Sequence, residues 1–235
     1  MQPRQRERWI TGRLLFACLL VTAVEAWGQH SAAPISGVVV GNDGTLIQAV
    51  ITALKVSPPV ATGRVVSASD GSFTMSGVPD GKYQLCAVDN GGNYLDPCTW
   101  SNTPVTVTIN AQQPISGFKL VLTKGTILQV RVNDASQILD SAAGPNQVPA
   151  TLVVGVQTVR HTLQSLPVVS KDSGGRTYQS AIPISATVPL RLFGSGFSLS
   201  DSSGNALSLV AGVPISVETV QGQAVQPLVF TVTGR

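Results

Sequence analysis

The chain is a succession of short β-branched runs, each cut off within a few residues by Gly, Pro, Asn or Asp. No long stretch places apolar residues at i, i+3, i+4 and i+7, so no amphipathic helix is expected. Short apolar runs at regular turn spacing are the pattern of an all-β sandwich. Charged residues make up only 11% of the chain, which suits half-buried strands better than solvated helices.

The first half divides cleanly. Strands are expected at Ile35 to Val40, Ala49 to Val56, Arg64 to Ser67, Ser72 to Ser76, Lys82 to Val88, Val105 to Ile109 and Phe118 to Leu122. Turns fall at Asn42-Asp43-Gly44-Thr45, Pro58-Pro59, Asp70-Gly71 and Val78-Pro79-Asp80-Gly81, where Gly, Pro and Asp each favour chain reversal. Side-chain alternation puts Val50, Thr52, Leu54 and Val56 on one face of their strand. It also aligns Phe73 with Met75, and Tyr83 with Leu85 and Ala87. Cys86 then faces away from Leu85 and can reach an external loop.

The second half begins after Lys124-Gly125. Strands are expected at Thr126 to Val132, Ala150 to Val159, Leu163 to Ser170, Val188 to Phe193, Ile215 to Val220 and Leu228 to Val232. A polar loop covers Gln137 to Pro149. Turns fall at Asp172 to Gly175, Gly194 to Gly196 and Asp201 to Asn205. The expected organisation is two β-sandwiches, residues 35–124 and a less regular 125–235; one continuous β domain is the alternative.

The amino terminus reads as an export signal. Arg4, Arg6, Arg8 and Arg13 form a basic stretch, Leu14 to Val24 an uncharged apolar run, and Ala23, Ala26 and Gly28 a small-residue region. Cleavage after Ala26 or after Gly28 fits, giving a signal peptide of residues 1–28 and a short tail at 29–34. The apolar run is about half the ~20 residues a membrane-spanning helix needs. No stable membrane span is expected after cleavage, and the localisation expected is secreted or periplasmic. Cys18 lies in the middle of the apolar run, where a lipid-attachment cysteine would not.

Losing the signal removes four arginines with Glu7 and Glu25 and leaves the chain close to neutral. No Lys/Arg cluster remains to neutralise phosphates, so nucleic acid is not an expected partner. Cys86 and Cys98 are then the remaining cysteines, and an even pair in an exported chain points to a disulfide. Two free thiols are the competing reading.

Catalytic side chains are scarce. His30 sits beside the cleavage site and His161 stands alone between Arg160 and Thr162, so no nucleophile–imidazole pair or zinc set is legible. Glu218 is the one glutamate after residue 28, and the aspartates sit in turn contexts, which disfavours a glycosidase carboxylate pair. Asp89, Asn90, Asn93 and Asp96 offer hard oxygen ligands but lack a calcium-loop spacing. No cofactor, metal or enzymatic activity is expected.

The string Ser69-Asp70-Gly71-Ser72-Phe73-Thr74-Met75-Ser76-Gly77-Val78-Pro79-Asp80-Gly81-Lys82-Tyr83-Gln84-Leu85 resembles the carboxypeptidase regulatory-like domain. So do Ile35 to Val40 and Ala49 to Ala53. The resemblance covers about residues 35–124 and implies a transthyretin-like, Ig-like sandwich related to Cna-B type repeats. Val169 to Tyr178 is a faint second echo that lacks the following Gly-x-Tyr. Cna-B type domains can carry a Lys–Asn isopeptide bond. The opening strand here has no lysine, and Asn110 alone cannot make that bond.

The expected function is a non-catalytic structural or protein-interaction module of the envelope or exterior. The alternative is a carbohydrate-binding module, because the sandwich is shared with starch-binding modules. Tyr94 and Trp100 bracket the expected disulfide loop and are the candidate ligand-binding residues. Partners are thus a protein or a glycan of the envelope.

Overall fold

The computed structural model describes residues 33–110, 113–210 and 212–235. The expected export signal at residues 1–28, with Cys18, and His30 lie outside the described residues. No helix among the described residues is long and apolar enough to cross a membrane.

The first half forms β1 (Ile35–Gly41), β2 (Ala49–Val56), β3 (Pro59–Val66), β4 (Ser72–Met75), β5 (Gly81–Asp89) and β6 (Tyr94–Leu95). A one-turn helix α1 (Pro97–Trp100) follows, then β7 (Thr106–Ile109) and β8 (Ile115–Lys124). One sheet has the order β4-β1-β8-β6 and the other β3-β2-β5-β7. The inner faces carry Ile35, Val39, Ile51, Phe73, Met75, Tyr83, Leu85 and Leu120, all buried. On β2 the core face is Ala49, Ile51 and Ala53; Val50, Thr52, Leu54 and Val56 share the outer face.

The second half forms β9 (Thr126–Asn133), β10 (Thr151–Gln157), β11 (Leu163–Ser165), β12 (Val168–Asp172) and β13 (Gly175–Ile182). It continues with β14 (Thr187–Ser195), β15 (Ser198–Ser200), β16 (Ala206–Leu207), β17 (Ile215–Glu218) and β18 (Leu228–Gly234). Its sheets are β12-β13-β9-β18-β15-β16 and β11-β10-β14-β17. They enclose a second core of Leu128, Val130, Val132, Val154, Val156, Tyr178, Leu190 and Phe230, with others. The chain is therefore all-β and built as two β-sandwiches.

The two sandwiches share one strand order. β1 lies between antiparallel β4 and parallel β8, and β9 lies between antiparallel β13 and parallel β18. The facing sheets, β3-β2-β5-β7 and β11-β10-β14-β17, are antiparallel throughout with matching chain order. β12 and β16 are edge additions in the second half. The turn Asp172 to Gly175 occupies the place of Asp70-Gly71, and buried Tyr178 on β13 corresponds to buried Phe73 on β4.

Several strand limits differ from the sequence reading. β3 starts at Pro59, earlier than the expected Arg64, because β2 and β3 make a hairpin through Ser57-Pro58. Proline is tolerated at the first residue of an edge strand, where no ladder donor is required. The expected strand Leu163 to Ser170 is two strands. Leu166 donates its backbone N–H to Val154 and Pro167 follows, so β11 and β12 join different sheets. β13 escaped the sequence reading because its buried residues are Gly175, Tyr178, Ala181 and Ile182, which do not alternate. β14 runs through Ser195, where a turn was expected.

Gly71 has φ +74°, and a Cβ there would press on the backbone of β1. Its turn has room for glycine alone. Between the sandwiches, β8 passes into β9 through Gly125. A Cβ on Gly125 would sit 2.8 Å from the Ile182 carbonyl oxygen and 3.0 Å from Leu95 Cδ2. The two halves meet closely at this residue.

Candidate functional site

The segment from β5 to α1 shapes the junction between the sandwiches. Asp89 ends β5 and folds the loop onto itself: its carboxylate accepts from Gly91 N–H at 2.8 Å and Asn93 N–H at 2.7 Å. Asp96 caps α1, accepting from Cys98 N–H at 3.0 Å, Ala87 N–H at 3.2 Å and the Thr99 hydroxyl at 2.8 Å. Pro97 takes the first helical position, where its missing N–H costs nothing. The carboxylates considered as calcium ligands thus act as turn and helix caps.

Cys86 and Cys98 form a disulfide with a Cα–Cα distance of 5.1 Å. Cys86 lies on the outer face of β5, as alternation requires, and the bridge pins α1 against that strand. Asp96 lies beside the two sulfurs. They are bonded to each other and present no open thiolate pair.

Pinning α1 positions Trp100. This half-buried side chain belongs to the first half but packs against the core of the second. The adjoining Ser101 carbonyl accepts from Arg160 Nε at 3.3 Å and Nη2 at 3.2 Å. Gly125 N–H donates to the Asn93 carbonyl at 2.9 Å. The disulfide loop and the helix it holds therefore form part of the contact between the two sandwiches as well as a local brace.

Tyr94 is half-buried against the first core. Its hydroxyl lies 3.1 Å from both carboxylate oxygens of Asp43, which also receives Lys124 Nζ at 3.1 Å. Asp43 is held down at about 2, first by the Thr45 backbone N–H and then by Lys124 and Tyr94. Hydrogen bonds to the charged form lower a carboxyl in this way.

Tyr94 and Trp100 line one cleft of about 410 Å³ on one side of the junction. Its near wall includes Val88, Asn90 and Thr99 of the first half. Its far wall includes Gln164, Pro167, Val169, Gln179 and Ser180 of the second. Trp100 also borders a second cleft of about 650 Å³, between Leu95 and Val105 on one side and Pro183 and Ile184 on the other. The far-wall residues were invisible to sequence reading. They join the site by packing of one sandwich on the other, and no local motif announces them.

The remaining sequence candidates stay apart. His161 is an exposed turn residue with φ +58°, its N–H donating to the Thr158 carbonyl. Glu218 is exposed at the end of β17. Asn110 is exposed just after β7, its carbonyl accepting from Gln113 N–H. None of these meets a second group that would make it catalytic.

No family model matches the chain, and no curated protein matches it. Among solved structures, it is similar to a streptococcal ancillary pilin at 11% identity, covering 87% of this chain and 63% of the pilin, with a TM-score of 0.39. The Bacillus anthracis TIE protein gives 9% identity, 87% and 34% coverage, and a TM-score of 0.32. A putative adhesin from Bacteroides ovatus gives 8% identity, 86% and 88% coverage, and a TM-score of 0.32. The chain thus spans less than two thirds of the pilin and about a third of the TIE protein. Superpositions this loose assign no residue a role.

Proposed function

We propose that the chain is exported, loses residues 1–28, and works outside the cytoplasm as a non-catalytic structural or protein-interaction module. Residues 35–124 and 125–235 act as its two domains in this reading, the first of carboxypeptidase regulatory-like type. The observation that carries it is where the chemistry-bearing side chains go. Asp70, Asp89, Asp96, Asp134, Asp172 and Asp201 all accept backbone N–H groups in turns and caps. Carboxylates fixed this way hold loops and are poorly placed to move protons.

The edge strand β3 supplies the contact surface. It has eight residues, a single charge at Arg64, and exposed Val60 and Val66. An edge with few charges is open to strand addition by another chain. The test is a pull-down of the mature protein from its own envelope fraction beside Val60→Lys, which places a blocking charge on β3. The expected result is a captured protein that the variant loses. Equal capture by both forms would reject β3 as the contact, and turnover of an envelope substrate by the purified protein would reject a non-catalytic role.

A further inference from the structure

We propose that the cleft between Tyr94 and Trp100 binds a neutral, hydroxyl-rich ligand: a saccharide without carboxylate or sulfate groups. Four observations converge on this chemistry. Two aromatic side chains line one cleft, and each is fixed from behind, Tyr94 by Asp43 and Trp100 by the second core and the disulfide-held helix. Rigid rings suit the apolar face of a pyranose, which loses little entropy on stacking against a surface already ordered.

The polar wall is made of neutral groups. Gln164, Gln179, Asn90 and Ser180 supply amides and a hydroxyl. No Lys, Arg or His lines this cleft, so nothing there compensates an anionic ligand. Its acids, Asp89 and Asp96, are engaged by backbone N–H groups in their loop and helix cap.

One of the amides lacks a partner. Gln164 Oε1 is buried and accepts no hydrogen bond. An unpaired buried amide oxygen is costly, and only when the amide turns to bring it to the cleft does a ligand's donor satisfy it. The terminal amide torsion is broad, so a turn about it presents oxygen or nitrogen to the cleft. Gln179 Oε1 accepts from Gln129 at 3.1 Å, leaving its own amide hydrogens to donate. A donor and an acceptor on one wall match adjacent sugar hydroxyls, which are each both donor and acceptor.

A peptide is the less suitable occupant. Extended peptides are held chiefly by free strand backbone. The far wall here includes Gln179 and Ser180 of β13, which pair with Gln129 and Leu128 of β9, and the Gln179 N–H also donates to the Pro167 carbonyl at 3.2 Å. Gln179 therefore offers a ligand its side chain, its own N–H being already taken.

The experiment is affinity electrophoresis of the full mature protein in gels containing a neutral α-glucan, β-glucan or mannan, with polygalacturonate as the acidic comparison. Calorimetric titration follows with oligosaccharides of any glycan that retards it. The expected result is retardation by at least one neutral glycan and none by polygalacturonate. Gln164→Leu should weaken binding roughly tenfold, the loss of about one hydrogen bond. Trp100→Ala should abolish it. Because Trp100 also packs the second core, Gln164→Leu is the decisive variant, with thermal unfolding checked alongside.

No retardation by any neutral glycan overturns the proposal. So does binding that Gln164→Leu leaves unchanged, or a cleft occupied by peptide instead. Val60→Lys should bind glycan like the parent, so failure of the β3 contact and failure of the cleft give different results.

Discussion

The two sandwiches have the same strand order and hold their turns in different ways. Between β4 and β5, the Pro79 carbonyl accepts from the hydroxyl of Tyr83, four residues on, at 2.9 Å. Between β13 and β14, the Pro183 carbonyl accepts from Thr219, 36 residues on, at 2.8 Å. Thr219 also accepts from Ala186 N–H at 2.9 Å. The same connection is thus closed locally in one sandwich and by a distant segment in the other. The contrast extends to the loops. A disulfide braces the first half. The second relies on buried Asp134 capping Ile138 and Leu139, and on Arg131 paired with Asp172 and Asp140 with Lys171 and Arg176. One topology tolerates either solution because the strand ladders and apolar cores, which are alike, define the fold.

The sharpest way to break this comparison is at the equivalent aromatic positions. Phe73→Ala should cost the first sandwich about 3–5 kcal/mol. In thermal or urea unfolding, that half should melt earlier while the second keeps its transition. A single transition shifted as a whole would mean the junction makes one cooperative unit. Replacing Cys86 and Cys98 together by Ser should cost about 2–3 kcal/mol in the chain-entropy model. It should also loosen Trp100, seen as a red shift and increased quenching of its fluorescence. Unchanged fluorescence would show that the second core alone holds the indole.

A smaller difference is expected at the turns. Thr219→Val strands both a carbonyl and an N–H and should cost about 1–3 kcal/mol, while Tyr83→Phe should cost about 1 kcal/mol. Equal losses in urea unfolding would blur the distinction between local and distant closure. The smallest effect is electrostatic. Asp172 is lowered chiefly by Arg131, and Asp140 chiefly by Lys171. Carboxyls lowered in the folded state contribute stability that is full above their ordinary value near 4 and is lost as pH falls through the folded values. For Asp43 that loss extends down to about pH 2, where its carboxyl is held. Acid titration should therefore weaken both halves below about pH 4. Salt should flatten the curve more in the second half, where charge pairs contribute more of the turn bonding.

The first sandwich was largely legible in the sequence because its signals are local. Phe73 and Met75 share the inner face of β4 and Tyr83, Leu85 and Ala87 that of β5, and all are buried as alternation requires. The second half blurred where burial stopped alternating. β13 carries a core aromatic at Tyr178 among polar residues, which hides it as a strand, and Pro167 breaks what reads as one run into β11 and β12.

By itself, the sequence determined the all-β class and most turn positions of the first half, and it favoured a Cys86–Cys98 disulfide over free thiols. Each rests on neighbours within one strand or turn, where backbone sterics and alternation act, or on the count of cysteines after residue 28. Only the tertiary structure decided that the second half repeats the first topology and that Trp100 serves the other core. It alone placed Gln164 and Gln179 in one cleft with Tyr94. Those relations depend on sheet packing between residues far apart in the chain, which no local preference encodes.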